Sequence, residues 1–488
     1  MAPLIVYMSK EIRTKEGESN VHVMLSAPQS PQNITFVEHK TITERRLNMR
    51  RITSLFLAFA LMCTLYIPAF ASFETSPSAP ISSLRETATS LLTELLDRQF
   101  EANKSGSTIY TDDILADTPG TELYKQYLYW YSGKCTATQE YWTDYEYNLN
   151  VDSVDGNTII FVADLKYGRT CSKYQSEAYG FNYRIELVEH DGKLLISYID
   201  SDEMNFYGFK NRITGGTRSD SLSADTISPV AKSTLDAMIA DYVNMKAAMN
   251  AMEVNAADVI DMEASYEAYL ENADSDSDVA ARATTATYSY ERERGRRYAD
   301  LYYTESGRNT CFDNFDGEGG DCTNWVSQCV WAGYGGWTDG DSVATMTANI
   351  AARKRMQPSN NIANWFGHAN GAGDAWANVT AFWNLIDSNP SIGPRGTGHY
   401  DGVKWSTSGM MSTEVVTGQV LQLRNGSSGR YAHSVFVTGG TNDSFENIKI
   451  TQHSPFNRIM LDELIDDWGG TSSCYMRQIK FSSANFNS

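Results

Sequence analysis

The sequence predicts an α+β fold, with helices and antiparallel strands gathered in separate runs. Three observations carry this. An amphipathic helical stretch precedes two alternating segments that contain Asp-Gly turns. A second run of helices precedes three short apolar strands near the C-terminus. Between the two arrangements lies a small, polar, patternless stretch, "ADSDSDVAARATTAT", which reads as a linker. The chain has 488 residues, long for one domain, and this break at 273–286 is the natural boundary between two.

Taken in order, residues 1–48 read as an upstream extension without a structural role. "MRRITSLFLAFALMCTLYIPAFAS" follows, with two arginines, an apolar run and "AFA" ending at Ala71, the layout of a secretory signal peptide over 49–71. An uncleaved membrane anchor is the alternative, because the apolar run is slightly long. Residues 73–225 form the first α+β part. Its helix, read over 73–103, places Leu84, Ala88, Leu91, Leu92, Leu95 and Leu96 on one stripe. From about Tyr124 the pattern turns to strands, and "DG" at 155–156 and 191–192 marks two hairpins. A helix followed by curved antiparallel strands resembles the cone-shaped modules of the nuclear-transport-factor-like group. Cys135 and Cys171 lie in this part, either as a disulfide or as two buried thiols.

Residues 226–286 comprise a helical segment and the linker, and the five methionines between 238 and 262 read as core filling. Residues 287–488 form the second part. "YSYERERGRRYADLYY" has the alternating charges of a solvated helix face, "TNWVSQCVWAGY" is a short helix ended by glycine at 333, and "GDAWANVTAFWNLIDSN" is another helix. The strands are "GQVLQLRN", "HSVFVTGG" and "NIKITQHS".

The chain is 42% apolar, which suits packed cores, and carries a formal charge of −20 without a basic stripe, which argues against nucleic-acid binding. Residues 1–72 are net basic, so the exported remainder is more acidic still. Six cysteines follow Ala71, too sparse for a disulfide scaffold. No CxxC or HExxH spacing occurs, and "DNFDGEGGD" lacks the ligand spacing of an EF-hand, so no metal or other cofactor is expected.

Chemistry centres on "GEGGDCTNWVSQC". Gly319 and Gly320 let the chain bend before Cys322, and Trp325, Val326, Cys329 and Val330 then recur at helical spacing. Cys322 therefore opens a helix, where the N-terminal dipole favours thiolate and free N–H groups can hold an oxyanion. A structural thiol is the competing reading. Cys329 lies two turns on, out of disulfide reach, and reads as core packing. A thiol nucleophile needs a base. His190 sits beside a hairpin turn, and His368 and His399 sit in glycine-rich loops, whereas His433 opens the strand "HSVFVTGG". The next strand ends "ITQHSP", offering Gln452 and His453 as the polar group that orients the base.

"GGDCTNWVSQCVWAGYGGW", "AWANVTAFWNL", "GQVLQLRN…HSVFVTG" and "ITQHSPFNR", in that order, resemble the "Putative amidase domain" family of Gram-positive bacteria over about residues 287–485. That family is papain-like, related to the NlpC-like and CHAP-type cell-wall hydrolases. The resemblance implies Cys322 as nucleophile, His433 as general base and His453 as the third polar residue, with Gln452 the fallback. Asp321 matches an acidic position that shapes the loop or the oxyanion side. Relatives often carry Gly-Asp where this chain has Gly418–Gln419. The implied protein is a secreted thiol amidase or endopeptidase, extracellular and associated with the cell wall. It cleaves amide bonds in peptidoglycan or another amide polymer and stays free of the membrane once its signal is removed. The alternative is a non-catalytic surface-binding module on the same fold.

Overall fold

The computed structural model describes residues 81–487, apart from 215–222, 253, 274–284, 305, 316–319, 361–362 and 427–428, together with a small hairpin, β1 (Ile12–Thr14) paired with β2 (Gly17–Ser19). The expected signal segment 49–71 and most of 1–48 lie outside the described residues, as does most of the linker. Residues 79–488 form one compact unit of mixed helices and antiparallel sheet. Among the described residues, no helix is long and apolar enough to cross a membrane.

Helix α1 (Ile81–Ser105) buries Ala88, Leu92, Leu95 and Leu96, as its stripe predicts. The next element corrects the sequence reading. Residues expected to turn extended from about Tyr124 form helix α2 (Pro119–Thr138). Pro119 begins it where a missing N–H costs nothing. Tyr124, Tyr127, Leu128, Tyr131 and Cys135 then recur at helical spacing and are all buried. Strands begin only with β3 (Trp142–Asp155), β4 (Thr158–Arg169), β5 (Gln175–His190) and β6 (Lys193–Ser201). The turn between β5 and β6 has positive φ at both Asp191 and Gly192, as a two-residue hairpin requires. Cys135 and Cys171 are unpaired thiols, and burial pushes each up to about 12.

Helix α3 (Met204–Ile213) is capped by Glu203, which accepts from the N–H groups of Asn205 and Phe206. Helices α4 (Lys232–Asn250) and α5 (Met262–Ala273) bury Met238, Met245, Met249 and Met262. Strand β7 (Thr285–Tyr288) leads into α6 (Arg292–Tyr302). Its charge pattern predicts a solvated face, but Arg296 is buried and donates to Met262 O at 2.8 Å and to Glu263. Helix α7 (Cys322–Gly333) is buried along its whole length. Helix α8 (Val343–Ala351) and two small hairpins follow, β8 (Gln357–Asn360) with β9 (Ala363–Trp365) and β10 (Gly367–His368) with β11 (Gly371–Ala372). "GDAWANVTAFWNLIDSN" divides into α9 (Asp374–Ala377) and α10 (Val379–Asp387), because Asn378 caps the second helix through Thr380 N and Ala381 N.

The C-terminal strands are β12 (Arg395–His399), β13 (Val420–Asn425), β14 (His433–Gly440), β15 (Ile448–Gln452), β16 (Asn457–Met460), β17 (Cys474–Ser482) and β18 (Ala484–Asn487). They join the N-terminal strands in one sheet of order β12-β17-β13-β14-β15-β16-β5-β4-β3, with β6 beside β5. The seam is β16 on β5, where Asn457 faces Ala178 and Arg458 faces Glu177. Acids of helix α11 (Leu461–Asp467) reinforce it. Arg169 grips Asp462 with two bonds of 2.7 and 2.8 Å, Lys134 reaches Asp466 at 3.0 Å, and Tyr167 donates to Glu463. These groups are buried, where a bidentate, hydrogen-bonded pair is the form of charge the interior tolerates.

Candidate active site

Gly320 precedes the site with φ +96°, a conformation that disfavours side chains, and its N–H donates to Phe315 O at 3.2 Å. The chain then turns into α7, so that Asp321 occupies the cap position and Cys322 is the first helical residue. Cys322 is 3% exposed, with Sγ 3.8 Å from Thr323 Oγ1. Two turns along, Cys329 is fully buried and burial raises its thiol well above the usual range.

His433 opens β14 and is 2% exposed. The helix and strand are tied one residue further along each, where Thr323 Oγ1 lies 3.1 Å from Ser434 Oγ, and Ser434 Oγ also accepts from Gln422 Nε2 at 3.1 Å. Cys322 and His433 therefore sit on the same seam between α7 and β14. Nε2 of His433 lies 2.5 Å from Gln452 Oε1, and Trp468 stacks on the ring with centroids 5.4 Å apart and planes 10° from parallel. An amide oxygen can only accept, so Nε2 carries the proton and Nδ1 is the nitrogen left basic.

His453 goes elsewhere. Its Nδ1 lies 2.7 Å from Asp321 Oδ2 and its Nε2 lies 3.3 Å from Tyr302 O, while the ring stacks on Trp325 at 4.1 Å and packs on Phe456 at 4.2 Å. Both nitrogens face oxygen acceptors. Asp321 is itself held on every side: its other oxygen accepts from Asn324 Nδ2 at 2.6 Å and Phe315 N at 3.2 Å, and its own N–H donates to Ser454 Oγ at 2.9 Å. Of the five residues that the sequence singles out, the structure thus groups His433 with Gln452 and Asp321 with His453, with Cys322 next to Asp321 at the start of α7. It does not bring His453 to the His433 ring.

Sequence reading missed two participants: the Thr323–Ser434 tie and the Trp468 cover. Thr323 and Ser434 each follow a residue already singled out, so a search for hydroxyl neighbours could have found them. Trp468 carries no local signal. Of the remaining histidines, His190 is exposed, His368 Nδ1 accepts from Asn370 N at 3.2 Å, and burial followed by nearby Lys480 lowers His399. Glu140, Cys171 and Glu446 offer ligand atoms within 4.8 Å of one another, but Lys246 already pairs with both glutamates there.

Residues 289–474 match the family model described as "Putative amidase domain". No curated protein and no solved structure gives a significant match to the chain.

Proposed function

We propose that the protein, whose residues 289–474 match the family model described as "Putative amidase domain", is a secreted, papain-like thiol hydrolase that cleaves amide bonds in peptidoglycan peptides. The observation that carries this is the seam between α7 and β14: a helix-opening thiol, and a strand-opening imidazole whose Nε2 is fixed by Gln452 at 2.5 Å. In this reading Gln452, and not His453, orients the base, and the Asp321–His453 pair holds the loop that delivers Cys322.

In this reading the steps are those of acyl transfer through a thiol. Nδ1 of His433 takes the Cys322 proton. The thiolate adds to the amide carbonyl, and first-turn N–H groups of α7 stabilise the oxyanion. The C–N bond breaks as His433 gives its proton to the leaving nitrogen. Water, deprotonated by His433, then adds to the thioester carbon, the C–S bond breaks, and the thiol is restored. Trp468, stacked on the imidazole, limits the tilt of the ring.

The test is digestion of purified cell wall by the full chain and by Cys322→Ser, with released fragments read by mass spectrometry. New amine and carboxyl ends are expected only with the native thiol. Undiminished cleavage by Cys322→Ser overturns the proposal.

A further inference from the structure

We propose that a second site, remote from the thiol, binds a sugar phosphate in the cleft between the start of α6, the turn before β13 and the end of β17. It does not rest on the Cys322–His433 chemistry.

The cleft holds about 400 Å³, within the ~300–1,000 Å³ usual for small-molecule sites and roomier than an inorganic ion needs. Its floor is aromatic. The rings of Tyr290 and Phe481 lie 4.8 Å apart at 43°, and Tyr290 Oη donates to Gly418 O at 2.6 Å. Around them stand Arg292, Lys480, Ser289, Ser482 and Ser483, with no acid in the lining. Tyr290 also packs on Gly333, where a Cβ would meet its ring at 2.4 Å. Gly333 ends α7 and Cys322 begins it, so the cleft lies roughly 16 Å from the thiol along the helix.

Neither Arg292 nor Lys480 has a hydrogen-bonded or ion-paired partner among the described residues. The acids alongside are committed elsewhere. Glu291 pairs with Arg294 at 2.8 Å, Glu293 faces buried Arg296 at 4.0 Å, and Glu414 accepts from Tyr400 Oη at 2.5 Å and Met411 N at 3.0 Å. In a chain of formal charge −20, two such cations over one acid-free cleft mark a place for an anion. Gly418 positions the arginine. Its φ is +83°, and a Cβ there would meet Arg292 Cβ at 2.6 Å, so the arginine stem lies directly on the turn.

The second, independent observation is Gln419. It lines the cleft, is 6% exposed, and its Oε1 accepts from Val416 N at 2.9 Å and Gln478 Nε2 at 2.8 Å. Two donors on that oxygen fix which way the amide points, so Nε2 is left as a donor without an acceptor among the described residues. A buried donor in that state costs stability and calls for a ligand. A guanidinium, an ammonium, an amide and three hydroxyls offer more donors than the two oxygens of a carboxylate can use, whereas a phosphate ester brings three further oxygens. The Tyr290–Phe481 floor suits the apolar face of a sugar ring, and the volume leaves room for one beside the phosphate.

The experiment is isothermal titration calorimetry on the full chain carrying Cys322→Ser, so that binding is read without turnover. The probes are glucose 6-phosphate, its methyl phosphodiester, glucose, glucuronate and inorganic phosphate. Glucose 6-phosphate is expected to bind with a Kd below about 1 mM. It should bind at least ~10-fold tighter than glucose, glucuronate or inorganic phosphate, and more weakly as salt rises. Arg292 is exposed and Lys480 half-buried, so their alanine variants keep the fold, and each should weaken binding about 10-fold. Gln419→Glu keeps the oxygen that Val416 and Gln478 bond but replaces the donor with a negative charge, and should weaken binding further, with circular dichroism confirming the fold. A diester that binds like the monoester puts the phosphate inside a polymer, and a diester that does not bind puts it on a free sugar phosphate; both fit the site. Glucuronate or inorganic phosphate binding as tightly as glucose 6-phosphate overturns the assignment of a sugar phosphate. No binding, or an affinity that all three variants leave unchanged, overturns the site itself. No arm of this test uses the thiol, so a failure of the hydrolase reading appears separately, as wall cleavage that survives Cys322→Ser.

Discussion

Removing the Gln452 side chain tests the site at the point where two neighbouring residues compete for one role. In Gln452→Ala, His433 loses the acceptor at 2.5 Å that sets its tautomer, at a position where Gln452 is 3% exposed. In the proposed mechanism the bond is made to an imidazole that becomes cationic, and hydrogen bonds to charged groups are worth about 1.5–3 kcal/mol. At 1.36 kcal/mol per decade this is a loss of about 10- to 150-fold in kcat, with KM little changed because Gln452 bonds to the base. Gln452→Glu should restore much of the rate and move the pH profile upward, since a carboxylate favours the imidazolium. The assay is kcat and KM across pH on a primary amide substrate, with circular dichroism confirming an unchanged fold. The reasoning is refuted if Gln452→Ala keeps its kcat while His453→Ala loses it and alters the pH profile.

His453→Phe keeps a ring on Trp325 but leaves the buried Asp321 oxygen without its partner. A stability loss of about 1–3 kcal/mol is expected in urea denaturation, with a rate loss smaller than that of Gln452→Ala. Asp462→Asn takes the bidentate partner from buried Arg169, which keeps only Glu463 at 3.5 Å, so a destabilisation of about 3–5 kcal/mol is expected. The double replacement Arg169→Met with Asp462→Leu should recover most of it, and equal instability of both variants would count against an ionic origin. The pH dependence has a defined sign at Glu263: burial alone would raise this carboxyl, but Lys449 and Arg296 outweigh it and hold it at about 2 against an ordinary 4.5. Its stabilisation is full above 4.5 and is lost as pH falls towards 2. The stability gap between the native chain and Glu263→Gln should therefore shrink over that window, and a gap constant with pH would refute it.

What could be read from the sequence, and what could not, follows from how far each signal reaches. Cys322 at a helix start and His433 at a strand start are legible because glycines, periodicity and neighbours within a few residues define them. The choice between Gln452 and His453 is not, because successive residues along a strand face opposite sides and only the pairing with β14 decides which one meets His433. Helix α2 was hidden because several of its faces meet protein, so its aromatic run shows little amphipathic contrast. The hardest case is "LDELIDD". Its composition is acidic, yet Asp462, Glu463 and Asp466 are buried, and their partners Arg169, Tyr167 and Lys134 lie some 300 residues earlier. No local pattern can report such pairs. The break at 273–286 is thus a break in composition and not in the sheet. Two parts that look separable along the chain share one hydrogen-bonded surface. The segment that matches the family model, 289–474, therefore shares its sheet with strands that come before it in the chain, through β16 on β5.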